Sequence, residues 1–134
     1  MGQPAAKKGD QITAQDVHLV MVPAPPGSPV PVTQMLPFNG VIDGNLSTDV
    51  NIMGKPAATV GSTATNTPSH VWLPPGLSFQ IPPMNKGTIM AGSGTVTINS
   101  KPVARAGDQA QTCQDPAPNM DAKVVASGTV LVGG

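Results

Sequence analysis

Pro4-Ala5-Ala6-Lys7-Lys8-Gly9-Asp10 returns as Pro56-Ala57-Ala58-Thr59-Val60-Gly61-Ser62 and again as Pro102-Val103-Ala104-Arg105-Ala106-Gly107-Asp108. Each copy has its own local logic. Proline sets φ near −65° and holds the residue before it extended, which ends a strand. Two small residues then allow neighbouring segments to approach closely. Gly9, Gly61 and Gly107 supply a turn that side chains resist, and Asp10, Ser62 and Asp108 can bond the adjacent backbone. Both later copies follow a lysine and an apolar alternation, Val50-Asn51-Ile52 before Lys55 and Val96-Thr97-Ile98 before Lys101. Each copy therefore reads as a structural elbow between two strands.

Downstream of the elbows stand the soft ligands. His18 lies 14 residues after Pro4, His70 lies 14 after Pro56, and Cys113 lies 11 after Pro102. The chain holds only two histidines and one cysteine, so each repeat leads to one of them. Threefold repetition with one such residue per copy points to three hairpins converging on a metal. Two imidazoles and a thiolate suit Zn²⁺ best, with Fe²⁺ second, whereas Ca²⁺ and Mg²⁺ prefer oxygen. Water, Asp16, Asp115 or no ligand at all are the alternatives for the fourth position.

The rest of the chain reads as all-β. Sixteen prolines interrupt nearly every helical window, and Gly and Pro together supply 31 of 134 residues. Interior proline costs a helix about 3 kcal/mol. Strand signals fall at Val17–Val22, Val50–Met53, Gly94–Asn99 and Lys123–Val132. Turn signals fall at Asn39-Gly40, Asp43-Gly44, Asn85-Lys86-Gly87 and Gly92-Ser93-Gly94. Pro23 to Pro37 reads as an extended polyproline-type surface crossing, packed through Val22, Val30, Val32 and Leu36, rather than as a ligand for a partner. Leu73 to Asn85, next to Trp72, reads as a second crossing. With only three aromatic residues, the seven methionines are expected to fill the core, and Lys7 and Lys8 to form a solvated rim.

Composition excludes several classes. Seven basic and seven acidic residues balance without runs of one sign, so the basic stripe with stacking aromatics of a nucleic-acid binder is missing. A single cysteine forbids an intramolecular disulfide. No apolar stretch reaches the roughly 20 residues of a spanning helix, and Met1 to Asp16 lacks the apolar core of a signal peptide. A soluble protein made in the cytoplasm, folded as one domain over residues 1–134, is the expectation.

The three copies resemble the proline-alanine-alanine-arginine (PAAR) repeat family. The likeness extends to Asn66-Thr67-Pro68-Ser69-His70, to Asn85-Lys86-Gly87 and to the final Gly-Thr-Val-Leu-Val-Gly-Gly, and it is closest to the PAAR-like branch with a Pro-rich first crossing. It spans nearly the whole chain, Pro4 to Gly134. The resemblance implies a small β-rich cone that caps a homotrimeric β-helical spike of a contractile injection system, such as type VI secretion or an extracellular tailocin-like particle. It implies a zinc ion near the tip, with His18, His70 and Cys113 at ligand positions. This chain departs from the histidine-rich four-ligand set of such tips, since it has no third histidine.

The expected role is non-enzymatic: one chain per spike trimer, sharpening the spike for envelope puncture, delivered outside the cell with only transient membrane contact. The second reading is an adaptor that carries a separate effector chain, because Gly134 follows directly on the last strand signal. A zinc-dependent hydrolase is the least favoured reading, since no acid, phosphate loop or nucleophile elbow stands at a familiar spacing.

Overall fold

The computed structural model describes residues 2–24, 27–115 and 117–133; Met1, Pro25, Pro26, Pro116 and Gly134 lie outside the described residues. No helix occurs among the described residues. The strands are β1 (Gln3–Pro4), β2 (Gln11–Val22), β3 (Val30–Gly44), β4 (Asn51–Ile52), β5 (Lys55–Pro56), β6 (Thr63–Asn66), β7 (Ser78–Phe79), β8 (Lys86–Ile89), β9 (Thr97–Ile98), β10 (Lys101–Pro102), β11 (Gln109–Thr112), β12 (Asn119–Val125) and β13 (Leu131–Val132).

The three repeats meet in a closed plate of backbone hydrogen bonds. Ala6 N–H donates to the Ala104 carbonyl (2.9 Å), Ala104 N–H to Ala58 (3.0 Å), and Ala58 N–H back to Ala6 (3.0 Å). The flanking bridges run round the same circle: Lys7 with Ala57, Thr59 with Val103, Arg105 with Ala5. Each elbow glycine sits at positive φ (92°, 95° and 88°), the region that only glycine enters freely. Gly9, Gly61 and Gly107 donate to Ile42, Ile89 and Val124 on the returning strands. The last motif residue closes each turn: Asp10, Ser62 and Asp108 accept the N–H of Lys7, Thr59 and Arg105 at 3.0, 3.0 and 2.7 Å.

Side-chain alternation gives the plate two faces. The third motif residues, Ala6, Ala58 and Ala104, join Ile12, Phe38, Ile42, Ile89 and Val124 in one buried cluster. The second residues, Ala5, Ala57 and Val103, face the other way onto Ile52 and Val132. Above the first face, β2, β3, β6, β8, β11 and β12 form a closed antiparallel ring, because β12 pairs with β2 as well as with β11. Closure removes the open sheet edges. Beyond the second face stand three ribbons: β4–β5, β9–β10, and β1 paired with β13. Positive φ at Met53 and Gly54, and at Asn99 and Ser100, gives the first two their two-residue turns. The third ribbon joins residues from the two ends of the chain.

Several expectations change. Residues 30–37 are not a polyproline crossing; they return as strand, paired with β2 from Val22↔Val30 to Gln11↔Val41. Pro31 and Pro37 fit because they sit opposite Met21 and Gln15, in the same parity as Asn39, whose N–H points away from β2 to the Asn66 side chain. A proline there costs no ladder bond. Leu36 is buried, but Val30 and Val32 are exposed. The stretch from Leu73 to Asn85 is irregular apart from β7, which adds to the outer half of β2. Asn39-Gly40 and Asp43-Gly44 lie inside β3 instead of in turns. Gly40 serves close packing, since a Cβ there would stand 2.5 Å from the Phe38 ring. Lys123–Val132 divides into β12 and β13.

The methionines do not fill the core either. Met35, Met53, Met84, Met90 and Met120 are exposed, because a narrow ring lined by alanine and β-branched residues leaves them no volume. Lys8 is exposed as a rim residue should be, but Lys7 is only 8% exposed. Its Nζ donates to Asp10 Oδ2 at 3.1 Å and to the Ser127 carbonyl at 2.6 Å.

Candidate metal centre

The ring interior changes character along β2. Its inward file runs Ile12, Ala14, Asp16, His18, Val20, so residues at alternate positions pass from apolar core to a polar cluster. His70 arrives just after β6 and Cys113 just after β11. These strands and β2 are the three that leave the elbows, and the spacing from each elbow thus delivers all three residues to one place. One oxygen, two ring nitrogens and one sulfur from Asp16, His18, His70 and Cys113 all lie within 4.8 Å of one another. Asp16 and His18 are almost fully buried, and His70 is buried as well.

Distances between these atoms separate two readings. Cys113 Sγ lies 3.7 Å from Asp16 Oδ2 and 3.8 Å from His18 Nε2, while His70 Nε2 lies 3.4 Å from Asp16 Oδ2. Good hydrogen bonds are shorter, near 2.7–3.2 Å for nitrogen to oxygen. A tetrahedral zinc with bonds of about 2.0–2.3 Å holds its ligand atoms roughly 3.3–3.6 Å apart. The spacing fits a shared ion better than a hydrogen-bonded cluster.

Each ligand is aimed by a neighbour. Asp16 Oδ1 accepts bonds from Thr112 Oγ1 (2.6 Å) and Asn119 Nδ2 (3.0 Å), which leaves Oδ2 for the cluster. Asp115 Oδ2 faces His18 Nδ1 at 3.3 Å and also accepts the Leu19 N–H. This contact places the proton on Nδ1 and presents Nε2 inward, the usual arrangement around a metal-bound imidazole. Asn85 Oδ1 accepts the His70 backbone N–H at 2.8 Å and Asn66 Nδ2 at 3.1 Å, fixing the segment that carries the ring.

Without an ion the environment favours neutral groups. Burial, and then His70 nearby, holds His18 below the usual imidazole range, although Asp115 and Asp16 pull it upward. Burial pushes the Cys113 thiol up to about 11. A dication reverses the preference for the thiol, because coordination removes its proton. One carboxylate and one thiolate then cancel a 2+ charge, so the occupied site is neutral overall. Neutrality is what a buried centre requires.

An ion that took all four of these atoms would have no open position of the sort that catalytic zinc uses for water. A pocket of about 320 Å³ adjoins His18 and Cys113, walled by Ile81, Pro82, Met84 and Lys86.

Sequence reasoning placed His18, His70 and Cys113 together, and the structure unites them. The two acids left open at the fourth position take different places: Asp16 joins the cluster, whereas Asp115 stands outside it on His18. The local signal was available, since Asp16-x-His18 on a strand puts both side chains on one face. Thr112 and Asn119 carried no such signal, and Asn66 and Asn85 stood out only within the segments that carry the family resemblance, because their roles arise only when β3, β6, β8, β11 and β12 are assembled.

The family model described as PAAR motif matches residues 80–134, the stretch holding the third copy. The two earlier copies repeat its backbone bonds one for one, and together with the match they support a PAAR-repeat protein. The motif marks spike-tip proteins of contractile injection systems. No curated protein and no solved structure matches the chain.

Proposed function

We propose that the chain caps a homotrimeric β-helical spike at one copy per trimer, as a sharp, metal-stiffened tip with no chemical step of its own. The observation that carries this reading is the circular bond pattern through Ala6, Ala58 and Ala104. A single chain that repeats three times around an axis can meet three identical subunits equally, which an asymmetric monomer cannot do.

The ribbon side of the plate is the docking base. Val50, Val96 and Val130 stand at equivalent places beside the three elbows, each carbonyl accepting the N–H of a second motif residue (Ala57, Val103 and Ala5). Their exposures are 37%, 39% and 41%, an apolar triad in threefold repetition. Native mass spectrometry with the trimeric spike should give one chain per trimer, and three chains per trimer would contradict the cap. Val96→Asp should weaken spike binding without changing metal content.

The ion is zinc, held by Asp16 Oδ2, His18 Nε2, His70 Nε2 and Cys113 Sγ, with Fe²⁺ second. When bound it supplies cross-linking, not Lewis-acid chemistry, because all four positions belong to protein. Elemental analysis should find about one equivalent per chain. The adaptor reading, in which a separate effector rides on the tip, is compatible with the same base.

A further inference from the structure

Three of the four ligand side chains are sealed from solvent. Those of Asp16, His18 and His70 are 0%, 1% and 2% exposed, and only Cys113 is partly open. Toward the plate the ring is filled by the apolar cluster of Ile12, Phe38 and Ile89, with Phe38 6.1 Å from the His70 ring. Phe79 stands edge-on to His18 at 5.8 Å and is backed by Trp72. Thr112 and Asn119 hold Oδ1 of Asp16. One approach remains. The pocket of about 320 Å³ touches Cys113, His18 and Thr112, but neither Asp16 nor His70.

We infer that this cleft, between residues 81–86 and the end of β11, is the route by which the ion reaches the centre, with Cys113 Sγ the first atom to take it and Lys86 the charge that governs its arrival.

The order of capture follows from exposure, since the sulfur is the one ligand atom whose residue meets solvent. The two walls of the cleft differ in kind. One is the irregular stretch Ile81 to Met84, whose end residues are 46% and 78% exposed and can swing without breaking a strand ladder. The other is the paired surface of β8 and β11, where Thr88 stands opposite Gln111 and both side chains turn away from the ring interior. Two formally charged side chains, Lys86 and Asp115, line the cleft. The Asp115 carboxylate is already taken by His18 Nδ1 and the Leu19 N–H, whereas Lys86 is exposed. A cation in a narrow opening repels an arriving dication and attracts an anion, and salt weakens both effects.

The identity of the ion rests on the zinc reading above, but the opening can be probed without any ion. Cys113 is the sole cysteine, so thiol labelling of the metal-free chain reports on this cleft alone. Two reagents are used. The dianionic aromatic disulfide dithiobis(nitrobenzoate) forms a mixed disulfide with the Cys113 thiolate and releases thionitrobenzoate, and neutral iodoacetamide serves as the reference. Uptake of Zn²⁺ is followed with a fluorescent zinc indicator. Lys86→Glu should speed zinc uptake about fivefold at low salt. It should slow the dianionic reagent relative to iodoacetamide by a similar factor. Both changes should shrink below about twofold near 1 M salt. Thr88→Phe, which fills the cleft from a paired strand, should slow zinc uptake and iodoacetamide about tenfold while final zinc content and melting temperature stay unchanged. Lys55→Glu, on a ribbon beyond the plate, should alter none of these rates. Unchanged rates in Lys86→Glu and Thr88→Phe, shifts of the same sign for Zn²⁺ and the dianion, or an equal effect of Lys55→Glu would each overturn the inference. A Thr88→Phe protein that melts earlier would be replaced by Gln111→Phe for the same comparison. No zinc uptake by any variant would defeat the metal reading itself, and the thiol rates then decide the cleft alone.

Discussion

The plate end and the metal end solve the same problem, how to join three strands at an axis, in different ways. At the plate the solution is backbone: three alanines exchange hydrogen bonds in a circle, and each elbow repeats the same glycine and the same side-chain cap. Symmetry survives there because the circle itself uses only backbone groups, common to all residues. At the metal end the three paths diverge. One becomes a long hairpin, one an irregular apolar segment, one a short bulged strand. Among the described residues no backbone circle spans them, and a cluster of one carboxylate, two imidazoles and one thiol that could hold an ion takes its place. The comparison teaches where side-chain identity matters most: at the end that has lost its symmetry.

The largest effect should come from the ion. Cys113→Ser should cost about 3 kcal/mol, roughly 10 °C in melting temperature, and chelator should lower the variant little further. Hydrogen exchange should show the loss confined to the metal end, with Trp72 emission altered and the Ala6, Ala58 and Ala104 amides still protected. Exposure of those amides on metal removal would break the division into two ends.

Overpacking the plate comes next. Ala6→Val, Ala58→Val and Ala104→Val each force extra volume into a fully buried site and should each cost about 2 kcal/mol. Chemical denaturation of the three variants checks the symmetry: costs that agree within about 0.5 kcal/mol support equivalent sites, and a wide spread opposes them.

A smaller effect distinguishes the copies. The first elbow pairs buried Lys7 with Asp10, whereas the middle one uses Thr59 and Ser62 without charge. Lys7→Thr alone leaves the Asp10 carboxylate without its cation and should cost about 1–2 kcal/mol. Adding Asp10→Ser recreates the uncharged middle version and should recover part of that loss. Melting of the single and double variants tests this, and a double variant less stable than the single would show the elbows are not interchangeable.

The smallest effect is acid sensitivity of the metal-free protein. His18 has its folded value lowered from 6.5, so the unfolded chain binds the proton more readily. Its contribution is complete above pH 6.5 and is lost as pH falls through the folded value. Melting of chelated protein should therefore decline below pH 6.5, and His18→Gln should flatten that decline. Cys113, raised to about 11 from 9.0, contributes in the opposite sense, losing stability only above pH 9.

By itself the sequence determined the plate and the convergence of ligands. Pro-Ala/Val-Ala with a glycine three residues later is a local conformational instruction, and its three copies supply the equivalent elbows that close on one another. The equal spacing from Pro4 to His18 and from Pro56 to His70 carried the same information to the metal site. Only the tertiary structure decided the rest. Residues 30–37 became strand because β2 supplied a partner with open positions for proline. Lys7 was buried because Ser127 and Asp10 closed over it. Asp16 became the fourth partner and Asp115 the support for His18 because β2 turned one carboxylate inward while the segment after β11 laid the other against the far ring nitrogen. The last two choices depend on contacts between residues about a hundred positions apart, which no local pattern encodes.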